Sequence, residues 1–163
     1  MRRARRAIVA IALTSAVAGA GWIVLGTLDG PWGMLPGGAF QGPALPCEAA
    51  RWEQWGDVPE VELEVRPVSP RSMTTWSVVY QGNLFVPADF LSPWKRWPHQ
   101  VLEDSRVRLR IDNRIFECRA ERAVDEALIG ELRREAATKY DLDLDGPAAR
   151  TEVWWFRMAR RTE

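Results

Sequence analysis

The stretch Arg106-Val-Arg-Leu-Arg-Ile-Asp-Asn-Arg-Ile-Phe-Glu-Cys-Arg-Ala120 decides how this chain folds. Two runs alternate apolar and charged residues with period two on either side of Asp112-Asn113, and a two-residue loop there makes them a β-hairpin. That loop sets the register. Leu109 falls opposite Phe116 and Val107 opposite Cys118 on one face, while Arg108 meets Glu117 on the other. The sheet is therefore apolar on one side and charged on the other. The same register leaves Arg106 opposite Arg119, a repulsion that calls for an acid or an anion between them.

Outward from this hairpin the alternation continues. Val61, Leu63 and Val65 alternate with Glu62, Glu64 and Arg66, the mark of a strand with one buried face. Trp76-Ser-Val-Val-Tyr80 and Leu84-Phe-Val86 form a second hairpin around Gly82-Asn83, with glycine first as a type II′ turn requires. Glu152-Val-Trp-Trp-Phe-Arg-Met158 is the last strand. Two helices interrupt this order. Ser92-Pro93 is an N-cap and first-turn pair for a short irregular helix to Asp104, with a boundary near Pro98. Asp125 caps a second helix to about Tyr140, with Leu128, Leu132 and Ala136 on one stripe and Val124 set against Ile129 as a staple. Six strands in the order hairpin, helix, hairpin, helix, strand point to a small antiparallel barrel rather than a parallel α/β sheet.

The N-terminus has a different character. Arg2, Arg3, Arg5 and Arg6 precede an uncharged run from Ala7 to Thr27. Those twenty-one residues would span roughly 32 Å as a helix, enough to cross a hydrocarbon core. Basic residues stay on the cytoplasmic side, so the reading is a basic tip (1–6), a transmembrane signal anchor (7–28) in the inner or cytoplasmic membrane, and a C-terminal domain outside the cytoplasm. A cleaved signal peptide is the alternative, since Ala16-Val17-Ala18 and Ala18-Gly19-Ala20 offer the small-x-small pattern of a cleavage site. From Gly26 to Pro46, ten of twenty-one residues are glycine or proline, too many for a regular element. Residues 29–58 therefore read as a tether and 59–163 as the folded domain, with Trp32, Met34 and Leu35 of the tether set to pack on the bilayer or on the domain.

Formal charge is zero, yet four of the twenty-two basic residues lie in the first six positions and all twenty-two acids follow the apolar run. An acidic exported part is a poor partner for nucleic acid, which needs a basic surface to displace counterions. Cys47 and Cys118 can pair in an oxidising compartment, or stand as a linker thiol and a small buried apolar residue. With one histidine, they do not make a zinc spacing.

The segments Thr75-Trp-Ser-Val-Val-Tyr-Gln-Gly-Asn-Leu-Phe-Val86 and Lys95-Arg-Trp-Pro-His-Gln-Val-Leu-Glu-Asp-Ser-Arg-Val-Arg-Leu-Arg-Ile111, with Lys139-Tyr140 late in a helix, resemble the pyridoxamine-phosphate-oxidase-like split barrels and their deazaflavin-dependent nitroreductase relatives. The resemblance covers residues 60–158. It implies a mainly β domain with two helices, a six-stranded antiparallel split β-barrel, and a homodimer; the one N-terminal transmembrane helix read above is a departure from the family. It also implies FMN or a deazaflavin as cofactor, with Lys95 and Arg96 at a helix opening and Arg108 and Arg110 on the adjoining strand holding its phosphate. Arginine suits that task because it donates two parallel hydrogen bonds. The segment Pro87 to Pro93 departs from the family, being bulky and apolar where a serine- and threonine-rich phosphate turn is usual.

Three further signals remain. Asp141-Leu-Asp-Leu-Asp-Gly146 with Glu152 has calcium-loop spacing at Asp141, Asp143, Asp145 and Glu152, although Leu142 and Leu144 stand where polar residues are normal. His99 has no nucleophile partner in the sequence. Trp154 and Trp155 must point to opposite faces of their strand, one of them outside the barrel and available to a second copy. These features lead to an extracytoplasmic, membrane-anchored split barrel that binds a ligand or partner without evident catalytic residues. A flavin- or deazaflavin-dependent oxidoreductase and a calcium-stabilised structural module are the alternatives.

Overall fold

A computed structural model describes residues 29–89, 95–146 and 151–161. The expected basic tip (1–6), the expected anchor (7–28) and the expected Ser92 cap lie outside them, and among the described residues no helix is long and apolar enough to cross a membrane.

The chain is mainly β, with strands β1 (Ala44–Pro46), β2 (Glu60–Val65), β3 (Arg71–Trp76), β4 (Val78–Tyr80), β5 (Asn83–Asp89), β6 (Arg106–Ile111), β7 (Arg114–Arg122) and β8 (Val153–Arg160). The two helices are α1 (Trp97–Glu103) and α2 (Glu126–Tyr140). Seven strands form a curled antiparallel half-barrel in the order β3-β2-β6-β7-β8-β5-β4, and β1 lies parallel to the first half of β7. The anticipated count of six strands is thus too low.

The deciding hairpin has the register its sequence dictates: Leu109 pairs with Phe116, Val107 with Cys118, and Arg106 with Arg119. The arginine conflict is resolved locally, since Arg106 grips both oxygens of Asp104 and Arg119 binds Glu121. Asp112 and Asn113 both take positive φ, the geometry of a type I′ turn. The other hairpin corrects the sequence reading. Tyr80 pairs with Asn83, so the loop is Gln81-Gly82, both at positive φ, and the turn is again type I′ rather than II′.

Trp76 to Tyr80 is two strands, not one. Ser77 leaves the ladder because its backbone bonds elsewhere: its N–H donates to the Tyr140 hydroxyl and its carbonyl accepts from Lys139 Nζ. Strand β3 escaped the alternation rule because its buried residue, Ser72, lies opposite Glu64 on the polar face, covered by Gly37 and Gly38 and hydrogen-bonded to the Gly38 carbonyl, while Met73 faces the core. Strand β5 runs through Pro87, which is tolerated because β4 pairs only with Asn83 to Phe85 and leaves that edge without a ladder. Helix α1 starts at Trp97 with Pro98 in its first turn, so Pro98 opens the helix instead of bounding it. Asp125 caps α2 by accepting from the Leu128 N–H, as expected, whereas Val124 stands exposed.

The main correction concerns residues 29–58, read as a tether. Their second half is built into the domain. Trp52 and Trp55 sit in the barrel core edge-on to Phe116, and Cys47 is bonded to Cys118 across 71 positions of chain. The pairing alternative for the cysteines is therefore the one realised. A second apolar cluster lies outside the barrel under α2, where Leu132 and Ala136 meet Val78, Phe85 and Trp155. Trp154 and Trp155 do face opposite ways, but the outer one, Trp155, is covered by α2.

Candidate functional site

The residues expected to grip a cofactor phosphate are not brought together. Arg108 turns back on β2: its Nε and Nη2 donate to the two oxygens of Glu64 at 2.8 and 2.6 Å, and Nη2 also donates to the Phe40 carbonyl. Glu64 is buried and accepts the Phe40 N–H as well. Arg110 donates to Glu62 and to Asp29, with its guanidinium 4.5 Å above the Phe40 ring. Both arginines thus clamp residues 29–40 to the sheet. Arg108 lines a small charged cavity of about 280 Å³ with Arg106, Arg161, Glu64 and Glu117, in which each of these arginines is paired with a carboxylate.

Lys95 lies elsewhere. It follows β5 and donates to Asp89 in the wall of a larger cleft of about 730 Å³. Arg96 is exposed at the start of α1. The cleft is open between the end of β3, the α2 helix, the start of β8 and the turn after α2, and its lining is mostly apolar: Met34, Trp76, Leu142, Leu144, Val153 and Trp155. Polar groups are few, namely Thr74, Thr75 and Thr151, the Lys95–Asp89 pair, Glu60, Asp143 and Arg133. Arg133 has no acidic partner among the described residues. A concave, largely apolar wall with a few placed charges is the usual form of a small-molecule site.

Neighbouring groups hold the walls in place. Trp76 stacks on Tyr140 at 4.5 Å, with ring planes 13° apart. The Tyr140 hydroxyl shares its one proton between the Pro59 and Ser77 carbonyls, at 2.6 and 2.7 Å, and Lys139 Nζ donates to the Val58 and Ser77 carbonyls. Burial pushes the Tyr140 phenol up and the Lys139 ammonium down from their ordinary values. This Lys139-Tyr140 pair fastens the end of α2 to the break between β3 and β4, which positions Trp76. The Trp155 Nε1 is buried with no hydrogen-bond partner among the described residues, an unusual state for an indole N–H.

The calcium candidates do not converge. Among the described residues no three acidic, histidine or cysteine side chains gather to hold a metal ion. Asp141 ends α2 in a left-handed conformation, Asp143 accepts the Asp145 N–H, and Glu152 accepts the Trp154 indole N–H. His99 packs edge-on against Trp154 at 5.1 Å, and Arg122 covers that indole at 3.8 Å.

Sequence reasoning missed Arg133, Trp76 and Met34 as cleft residues. Arg133 carried a readable signal, since it falls one turn from Ala136 on the side of the buried stripe. Met34 stood out only as an apolar residue set to pack on the bilayer or the domain; its place beside Trp76 could not be read, because it arrives from more than forty positions away.

No family profile matches the sequence, and no curated protein matches it. Solved structures do match in shape. A putative pyridoxamine 5′-phosphate oxidase from Listeria innocua aligns over 71% of this chain and 91% of its own, at 14% identity and TM-score 0.50. The conserved hypothetical protein Rv2991 from Mycobacterium tuberculosis aligns over 75% and 85%, at 15% identity and TM-score 0.54. The heme storage protein HutZ from Vibrio cholerae aligns over 74% and 93%, at 14% identity and TM-score 0.51. At such identities the likeness speaks for the fold alone, and that fold is the pyridoxamine-phosphate-oxidase-like split barrel.

Proposed function

We propose that this chain is a membrane-anchored, extracytoplasmic split barrel that binds a small, largely apolar, anion-bearing molecule in the cleft beside Trp76. The observation that carries the reading is the meeting of apolar walls with Lys95, itself bonded to Asp89, and with Arg133, which has no acidic partner among the described residues, in one cavity of about 730 Å³. Cations in a partly dry cleft hold an anion more strongly than the same groups on an open surface. The Cys47–Cys118 bond supports the location, because disulfides persist in oxidising compartments and are rare in the cytosol. The Arg2 to Arg6 cluster before the uncharged run supports the anchor.

The test is a titration of the full chain in detergent with anilinonaphthalene sulfonate and with FMN, following tryptophan quenching by each. Saturable binding that weakens at least tenfold in Lys95→Ala/Arg133→Ala supports the reading, tenfold being about 1.4 kcal/mol. Binding unchanged by that pair of substitutions removes its main support.

A flavin- or deazaflavin-dependent oxidoreductase is the second reading. The cleft favours it in one respect, since Trp76 and Trp155 offer aromatic surface for a flat ring. The phosphate grip does not fit as anticipated, because Arg108 and Arg110 are closed onto carboxylates away from the cleft and only Lys95 of the expected set lines it. A flavin phosphate would have to rest on Lys95 and Arg133. Saturable FMN binding with anilinonaphthalene sulfonate excluded would favour this second reading.

A further inference from the structure

Exposed large apolar side chains are not scattered evenly over this domain. Met34, Trp76, Leu142 and Leu144 are all exposed and all line the one cleft, with Met34 100% exposed at its edge. Beside Met34 stand Trp32, 73% exposed, and Leu35, which exchange backbone hydrogen bonds and close a tight hairpin loop. The loop is fixed, not trailing. Thr74 Oγ1 donates to the Gly33 carbonyl, and Gly37 exchanges backbone hydrogen bonds with Ser72. A held loop that points a tryptophan, a methionine and a leucine into solvent has a hydrophobic surface with no partner among the described residues.

The position of this loop in the chain says what covers it. Thr27, at the end of the expected span, is five residues before Trp32, a reach of at most about 18 Å for extended chain. The first described residue, Asp29, is itself fastened to Arg110. Whatever anchors the run to a bilayer therefore holds the loop at the bilayer surface, where tryptophan is the favoured residue and leucine and methionine enter the acyl boundary. Asp141, Asp143 and Asp145 flank the leucines, so the contact is apolar and gains nothing from anionic lipid.

We propose that the cleft mouth, formed by the Trp32–Leu35 loop with Leu142 and Leu144, docks onto the lipid bilayer that anchors the chain. The cleft then opens toward lipid. This inference rests on the anchored reading above, and the experiment separates the two. Because Cys47 and Cys118 are joined, Met34→Cys supplies the only free thiol in the chain. The full chain carrying a nitrobenzoxadiazole label there is reconstituted in phosphatidylcholine vesicles containing lipid with a nitroxide near the headgroup. Val68→Cys, exposed at the opposite end of the β2–β3 hairpin, is the control.

Docking gives roughly twofold or stronger quenching of the label at position 34, as for a group held about 5–10 Å into the boundary, and little at position 68. Quenching should persist in high salt and be lost when Trp32→Ser and Leu35→Ser are added. Equal quenching at the two positions overturns the proposal. So does a label at position 34 that is shielded from lipid and self-quenched as protein density rises, which would place a second copy on this face. Flotation read on the same vesicles reports the anchor: chain that floats with unquenched label refutes docking alone, whereas chain that does not float refutes the anchor and docking together. Binding of anilinonaphthalene sulfonate to the detergent-solubilised chain reports the cleft reading independently of both.

Discussion

Arg108 holds both carboxylate oxygens of Glu64 at 2.6 to 2.8 Å across the β2–β6 pair, with the carboxylate buried in the sheet. A side chain that the family resemblance offered as a ligand for a cofactor phosphate is instead the partner of an internal acid. Breaking such a pair from one side leaves a buried charge without compensation. Arg108→Met should therefore cost about 3–5 kcal/mol of unfolding free energy, and Glu64→Leu with Arg108→Met considerably less. Urea unfolding of the single and double variants checks this. The same Arg108→Met chain, where folded, should bind the cleft probe as the parent does.

The Cys47–Cys118 bond ties the first strand region to β7 across a long loop of chain. Reduction, or Cys47→Ser with Cys118→Ser, should lower stability by about 2–5 kcal/mol. Thermal melts with and without dithiothreitol measure it, and the double variant should then be indifferent to reductant. Chain isolated from cells with thiols blocked at lysis should carry no free cysteine if the domain folds outside the cytoplasm.

Tyr140 supports the cleft wall as well as the fold. Tyr140→Phe keeps the ring on Trp76 but removes the hydroxyl from the Ser77 N–H and from the Pro59 and Ser77 carbonyls. The expected loss is about 1–3 kcal/mol, since these backbone groups are partly buried. Tyr140→Ala should in addition weaken binding of the cleft probe, because Trp76 loses its backing. Comparing the two variants in one titration separates the hydroxyl from the ring.

The hydrogen bond from Arg106 lowers the Asp104 carboxyl from 3.8 to about 2, and bonds from Arg157 and Arg119 lower Glu121. A carboxyl with a depressed folded value contributes stability that is fully present above its unfolded pKa. That contribution fades as pH falls toward the folded value. For Asp104 the window runs from about pH 4 down to about pH 2. Asp104→Asn should therefore flatten the acid limb of stability over that window and leave the slope near pH 7 unchanged, as read from melting temperature against pH.

Gly37 is placed where a Cβ would sit 1.6 Å from the Gly30 carbonyl oxygen. Gly37→Ala must displace the loop that carries Trp32 and Met34. The expected result is an intact barrel with a loosened loop, seen as increased proteolysis within residues 29–40 and a lowered cleft affinity.

Much of the β architecture was legible because the physics involved is local. The Asp112-Asn113 turn and the period-two pattern settle the Leu109–Phe116 register without help from the rest of the chain, and Asp125 announces α2 by its own cap. Strand β3 was not legible because its buried residue is Ser72, whose partner is thirty-four positions away. The tether reading failed for the same reason. Trp52, Trp55 and Cys47 follow a glycine- and proline-rich stretch that resembles a linker, and their burial depends on Phe116 and Cys118 arriving from β7.

From sequence alone come the alternation, the hairpin register, the capped helix and the candidate cations. Their residue types could be read, but not their company. Whether Arg108 meets a phosphate or Glu64, whether Cys47 meets Cys118, and whether Met34 joins Trp76 and Arg133 at one cleft are decided by how the sheet curls. Charge and hydrogen-bonding capacity belong to a residue, whereas a pairing depends on distances that long-range strand order sets.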